Sequence, residues 1–164
     1  MRRGEARRIA FGGMMAALAM TIMCVGGLIP IATFTCPVIS MLILAYVTKL
    51  CGRRIGWAWY GAVSILGLIL APDKEAAAVF TFIGFYPIVK PAFDRWKLSL
   101  LWKAILFNSL ILLMYGLLIY LMGMDQLAEE FRDMGRVMTV VSLILGNAVF
   151  FLLDKVLLRF HKIK

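Results

Sequence analysis

The chain alternates long unbroken apolar runs with short polar clusters, and the length of the runs decides which elements they form. A bilayer core about 30 Å thick takes roughly 20 helical residues. By that ruler the sequence predicts six apolar helices, at Ile9–Ile29, Pro37–Leu50, Ile55–Ala71, Ala76–Val89, Leu98–Met122 and Val137–Leu158. The runs do not alternate with a period of two, which excludes a transmembrane barrel. The first, fifth and sixth are clear on length alone. The second and fourth are shorter and contain or abut proline, which cannot donate to the helical ladder, so their ends are expected to be irregular. Between the fifth and sixth, Leu127, Phe131, Met134 and Met138 fall along one helical face with Glu129, Glu130, Arg132 and Asp133 off it. That spacing predicts a short interfacial helix within Gly123–Arg136.

Composition says which solvent these helices face. Of 164 residues 63% are hydrophobic and only 16% charged, with mean hydropathy +0.91. A water-soluble domain needs a charged exterior of about a quarter of its residues. The expected fold is therefore an all-α integral membrane protein, a compact bundle of six transmembrane helices forming one domain over residues 1–164, since no repeat and no long Gly, Ser or Pro linker divides it.

The formal charge of +9 would raise nucleic-acid binding in a soluble chain, but here the cations sit in clusters between apolar runs rather than on one basic face. With both termini placed in the cytoplasm, fifteen of the eighteen Lys and Arg residues are inside, and Lys74, Arg132 and Arg136 remain outside. Basic residues concentrate on the cytoplasmic side of spanning helices, so the expected topology is multi-pass in the cell membrane with both ends cytoplasmic. The first run resembles a signal peptide in its basic start. It is longer than an ordinary signal core and ends Gly26-Gly-Leu-Ile-Pro30 without a small-x-small site, so it is expected to be a retained helix.

Candidate chemistry is sparse. The lone histidine, His161, lies in a basic tail, and Cys24, Cys36 and Cys51 have no metal-ligand spacing and read as small core residues. A nucleotide-binding loop, a nucleophile elbow and a zinc-protease motif are all missing from the sequence, and no acid or base falls in mid-span. An enzyme is therefore not expected, nor a cofactor or metal. Asp94 and Asp154 read as interfacial residues beside Arg95 and Lys155.

What is present is a set of small and polar residues in apolar surroundings. Gly12 with Ala16 and Gly13 with Ala17 form two overlapping small-x-x-x-small pairs, a spacing that lets another helix approach closely, either of the same chain or of a separate subunit. Gly26–Pro37 combines two Gly, two Pro and two Thr (Thr33 and Thr35, flanking Phe34), and is expected to be a non-helical outer connection able to serve as a lid or cavity wall. Asp73 and Lys74, in the second outer turn, can cap the fourth helix or touch a ligand. Asn108 and Asn147 are the deepest polar residues of the fifth and sixth helices and should face the bundle interior, bonding between helices or lining a cavity. Pro87 frees a carbonyl in the fourth helix beside Phe85 and Tyr86. A small polar solute beneath the Pro30–Pro37 loop, floored by the two amides and walled by Phe34, Phe80 or Tyr86, would have the mostly apolar lining usual for such sites.

Six short spans, the basic start, the run Arg-Ile-Ala-x-x-x-Met-x-Ala-Ala-Leu from Arg8 to Leu18 and the Pro/Gly/Thr-rich first outer connection together resemble the substrate-binding S components of energy-coupling factor transporters. The resemblance implies a vitamin-like or other small organic micronutrient bound in the outward half. It also implies docking of the first helix, through Gly12, Gly13, Ala16 and Ala17, on a transmembrane coupling subunit, with cytoplasmic ATPases supplying the energy. The competing expectation is a non-transporting membrane scaffold or assembly subunit, in which every one of these polar residues is structural; a lipid-modifying enzyme is disfavoured for want of acid and base groups.

Overall fold

The computed structural model describes residues 2–26, 32–94, 99–122 and 135–162. All its regular structure is helical: α1 Arg2–Gly26, α2 Ala32–Cys51, α3 Arg53–Leu70, α4 Lys74–Ile83, α5 Tyr86–Phe93, α6 Ser99–Met122 and α7 Gly135–Lys162. They group into two compact units, residues 1–97 and 98–164. Among the described residues three stretches are long and apolar enough to cross a membrane: Gly4–Gly26, Thr33–Cys51 and Lys74–Phe93. Leu101–Leu117 of α6 is a shorter apolar helix. Most of the Gly123–Arg136 connection, where the interfacial helix was expected, lies outside the described residues.

In the first unit α1, α2 and α3 pack on one another, and α4 packs on α2 and α3. The rings of Phe11 and Tyr46 meet edge to face at 6.1 Å, and the Cys51 thiol donates to the Arg8 carbonyl over 3.5 Å, so α1 and α2 run antiparallel. Ala76, Ala77 and Ala78 of α4 are all buried, and their small side chains let the neighbouring helices come close. Close packing and interhelical hydrogen bonds hold the bundle. Here those bonds include the Trp59 indole N–H donating to the Gly12 carbonyl at 3.0 Å and the Tyr60 hydroxyl donating to the Thr81 carbonyl.

Three junctions are set by single residues. Gly52 alone separates α2 from α3, with φ 97°, a left-handed conformation that favours glycine and turns the chain in one residue. Pro87 has no N–H for the Ile83 carbonyl, and the fourth apolar run divides there into α4 and α5. Gly84 closes on Phe80 through a 2.7 Å backbone bond, in a space where a Cβ would run into the Phe80 carbonyl oxygen. Pro37, by contrast, does not begin α2. The helix starts at Ala32 and carries Pro37 in its second turn, where the proline removes one bond near an end whose first N–H groups lack intrahelical partners in any case. Residues 27–31 lie outside the described residues, and Thr33, Phe34 and Thr35, expected in a non-helical connection, are helical.

In the second unit α6 and α7 pair antiparallel. Lys103 meets Asp154, Phe107 stacks on Phe150 with centroids 4.6 Å apart, and Asn108 meets Asn147, the α7 numbers falling as those of α6 rise.

Candidate functional site

The two small-residue rows of α1 face different ways. Gly12 is buried: its carbonyl receives the Trp59 indole, and a Cβ there would touch the Ile55 side chain at 3.5 Å. Ala19 and Met23 are buried as well. Gly13 has open space, with no atom within 4 Å of where its Cβ would be, and Ala17 is exposed, while Ala16 is half-buried. Below Ala17, the Thr21 hydroxyl turns back onto the Ala17 carbonyl at 2.9 Å, leaving no outward polar demand. Gly13, Ala17 and Thr21 form an exposed strip of small residues beside Met14 and Leu18, both exposed.

At the opposite end of the first unit the N-termini of α2 and α4 come together, with Cys36 within electrostatic reach of Asp73. Asp73 caps α4, its Oδ1 accepting from the Ala76 N–H at 3.0 Å. A capping carboxylate of this kind contributes about 1 kcal/mol. Its second oxygen makes no hydrogen bond among the described residues. Lys74 reaches back to the last turn of α3, its Nζ donating to the Leu68 and Ile69 carbonyls at 2.9 and 3.3 Å, where a cation meets the negative end of the helix dipole. Thr33 is half-buried here, and Phe34 and Thr35 are exposed. Five of the expected solute-binding residues therefore share one end of one unit: Thr33, Phe34, Thr35, Asp73 and Lys74.

Of the other three, Tyr86 belongs to α5 of the same unit, and Asn108 and Asn147 belong to the second unit. Tyr86 is fully buried at the start of α5, with the Lys90 ammonium 5.9 Å from its ring centroid. Phe80, named as a possible wall, is buried among Trp59, Tyr60 and the rest of an aromatic cluster. Asn108 and Asn147 clasp each other across α6 and α7. Asn108 Nδ2 donates to Asn147 Oδ1 at 3.2 Å and to the Ala104 carbonyl at 2.9 Å, and Asn147 Nδ2 donates to Asn108 Oδ1 at 3.0 Å and to the Leu143 carbonyl at 2.8 Å. Both amide donors of each residue are occupied, so the use realised is interhelical bonding. No family model, no curated protein and no solved structure matches the chain.

The sequence reading missed the most deeply placed charges. Lys103 Nζ sits 3.2 and 3.1 Å from Asp154 Oδ1 and Oδ2, with the two residues 3% and 6% exposed. Asp154 had been expected at an interface beside Lys155, which is exposed. Lys90 is buried too and pairs with Asp94 one turn on, at 3.5 Å. A signal was available for the first pair: Lys103, Phe107 and Asn108 share a face of α6 by their spacing, as Asn147, Phe150 and Asp154 do on α7. The cysteines Cys24, Cys36 and Cys51 are free thiols. Among the described residues no group of three or more His, Cys, Asp or Glu could hold a metal ion.

Proposed function

We propose that the chain is a multi-pass membrane protein of the energy-coupling factor S-component type, a subunit that captures a small organic solute from outside and docks on a transmembrane coupling subunit driven by cytoplasmic ATPases. The observation that carries the reading is the division of α1. One small-residue row is used up within the chain, and the other, Gly13 and Ala17, is exposed and smooth, the surface that a second helix needs for close approach. All six apolar rods span in this reading, with both termini cytoplasmic. The basic ends of α1, α2 and α3 then lie inside and the Asp73 end outside, in keeping with the distribution of basic residues. The solute is held at that outer end, near Thr33 and Thr35, with the uncommitted oxygen of Asp73 as one polar anchor.

Co-purification from the native host tests the docking. Ala17→Leu should abolish recovery of the coupling subunit while leaving the melting behaviour of the chain unchanged, and Gly12→Leu should instead impair folding. Recovery of the partner with Ala17→Leu at the level of the unmodified chain would refute docking through this row. The scaffold reading is favoured by one observation, the complete internal use of the Asn108 and Asn147 donors, and it predicts that no solute travels with the protein.

A further inference from the structure

The antiparallel run of α1 and α2 and the single-residue turn at Gly52 bring Arg7, Arg8, Lys49, Arg53 and Arg54 to one end of the first unit. The contacts Cys51 to Arg8 and Trp59 to Gly12 hold these helix ends side by side. The four arginines are exposed, and none pairs with a carboxylate among the described residues. Exposed apolar side chains stand among and beside the cations: Ile9 next to Arg8, Leu50 between Lys49 and Arg53, and Trp57 one turn beyond Arg54. Exposed cations and exposed apolar side chains thus share this end, the two-part chemistry that suits an anionic amphiphile.

We propose that this end of the first unit binds anionic phospholipid, the headgroup phosphate against Arg7, Arg8, Arg53 and Arg54 and the acyl chains along Ile9, Leu50 and Trp57. An acidic protein segment would match the charge but would leave the apolar side chains uncovered. The proposal rests on the chain residing in a membrane but not on solute capture, so it stands or falls separately from the transport reading. Arginine near an anionic membrane surface contributes about fivefold in affinity per residue, an attraction that salt screens.

The test is native mass spectrometry of the purified full chain titrated with phosphatidylglycerol or phosphatidylcholine. Retention of phosphatidylglycerol should exceed that of phosphatidylcholine and weaken with added salt. R53Q/R54Q should lower it by about 30-fold, while R53K/R54K retains most of it, because charge is kept. All these side chains are exposed, so the variants should melt as the unmodified chain does. Equal retention of the two lipids, or undiminished phosphatidylglycerol binding in R7Q/R8Q/R53Q/R54Q, would overturn the proposal. Displacement of the lipid by millimolar inorganic phosphate would assign the cluster to a free anion, and displacement by an acidic peptide would assign it to a protein partner; either result overturns it.

Discussion

Replacing Lys103 with Leu removes the cation that faces both oxygens of Asp154 at 3.1 and 3.2 Å, in a place where the carboxylate is 6% exposed. Breaking a buried pair from one side costs about 3–5 kcal/mol, because a charge is left in low dielectric. Two effects cap that figure. A stranded carboxylate can take a proton, which at pH 7 costs about 4 kcal/mol from the ordinary aspartate value. Polar groups within membranes also find substitute partners when helices separate, which lowers measured couplings toward about 1 kcal/mol. The expected loss for Lys103→Leu is therefore about 2–4 kcal/mol, and Asp154→Leu should lose a similar amount. The double variant Lys103→Leu/Asp154→Leu removes both charges of the pair together and should cost less than either single change, since apolar replacements of buried pairs are often neutral. Denaturation by sodium dodecyl sulfate in mixed micelles, followed by tryptophan fluorescence, measures all three against the unmodified chain. If the double variant loses the sum of the two single losses, the residues do not act as a pair and the reasoning fails.

Three further outcomes follow from geometry. Asn108→Leu and Asn147→Leu should each destabilise the α6–α7 pair by about 1–2 kcal/mol, with the double variant below their sum, in the same denaturation assay. Asp73→Ala removes the α4 cap and should cost about 1 kcal/mol of stability, with Asp73→Asn recovering most of it. Gly56→Ala would set a Cβ against the Thr48 hydroxyl where α2 and α3 meet, and should lower stability by about 1–3 kcal/mol, seen as a reduced melting temperature.

The rods themselves were legible, because run length against bilayer thickness locates a helix whichever way its faces point. So were the interruption before Pro87, which follows from a missing donor, and the cap at Asp73; for the two amides the sequence left bonding between helices and cavity lining both open. Facing was harder to read. A helix apolar on all sides carries no stripe to say which side meets protein, so the rows Gly12/Ala16 and Gly13/Ala17 could not be told apart before their surroundings were known. The proline rule also misplaced the start of α2, which begins five residues before Pro37 and carries it inside the helix. The Lys103–Asp154 pair was lost for another reason: 51 residues separate its members, and Asp154 had Lys155 beside it in the sequence. Thr33, Thr35 and Asp73 were placed on one side by topology alone, and α2 and α4 do start at one end.

The central claim, solute capture by a subunit that works with a coupling partner, is tested most directly by native mass spectrometry of the full chain extracted gently from its own host's membranes. The account predicts a complex with a transmembrane coupling subunit and a small organic molecule of fixed mass on the chain, lost when Thr33 and Asp73 are both replaced by Ala. A bare chain with neither molecule nor partner, from a preparation that retains its bound lipid, would contradict it.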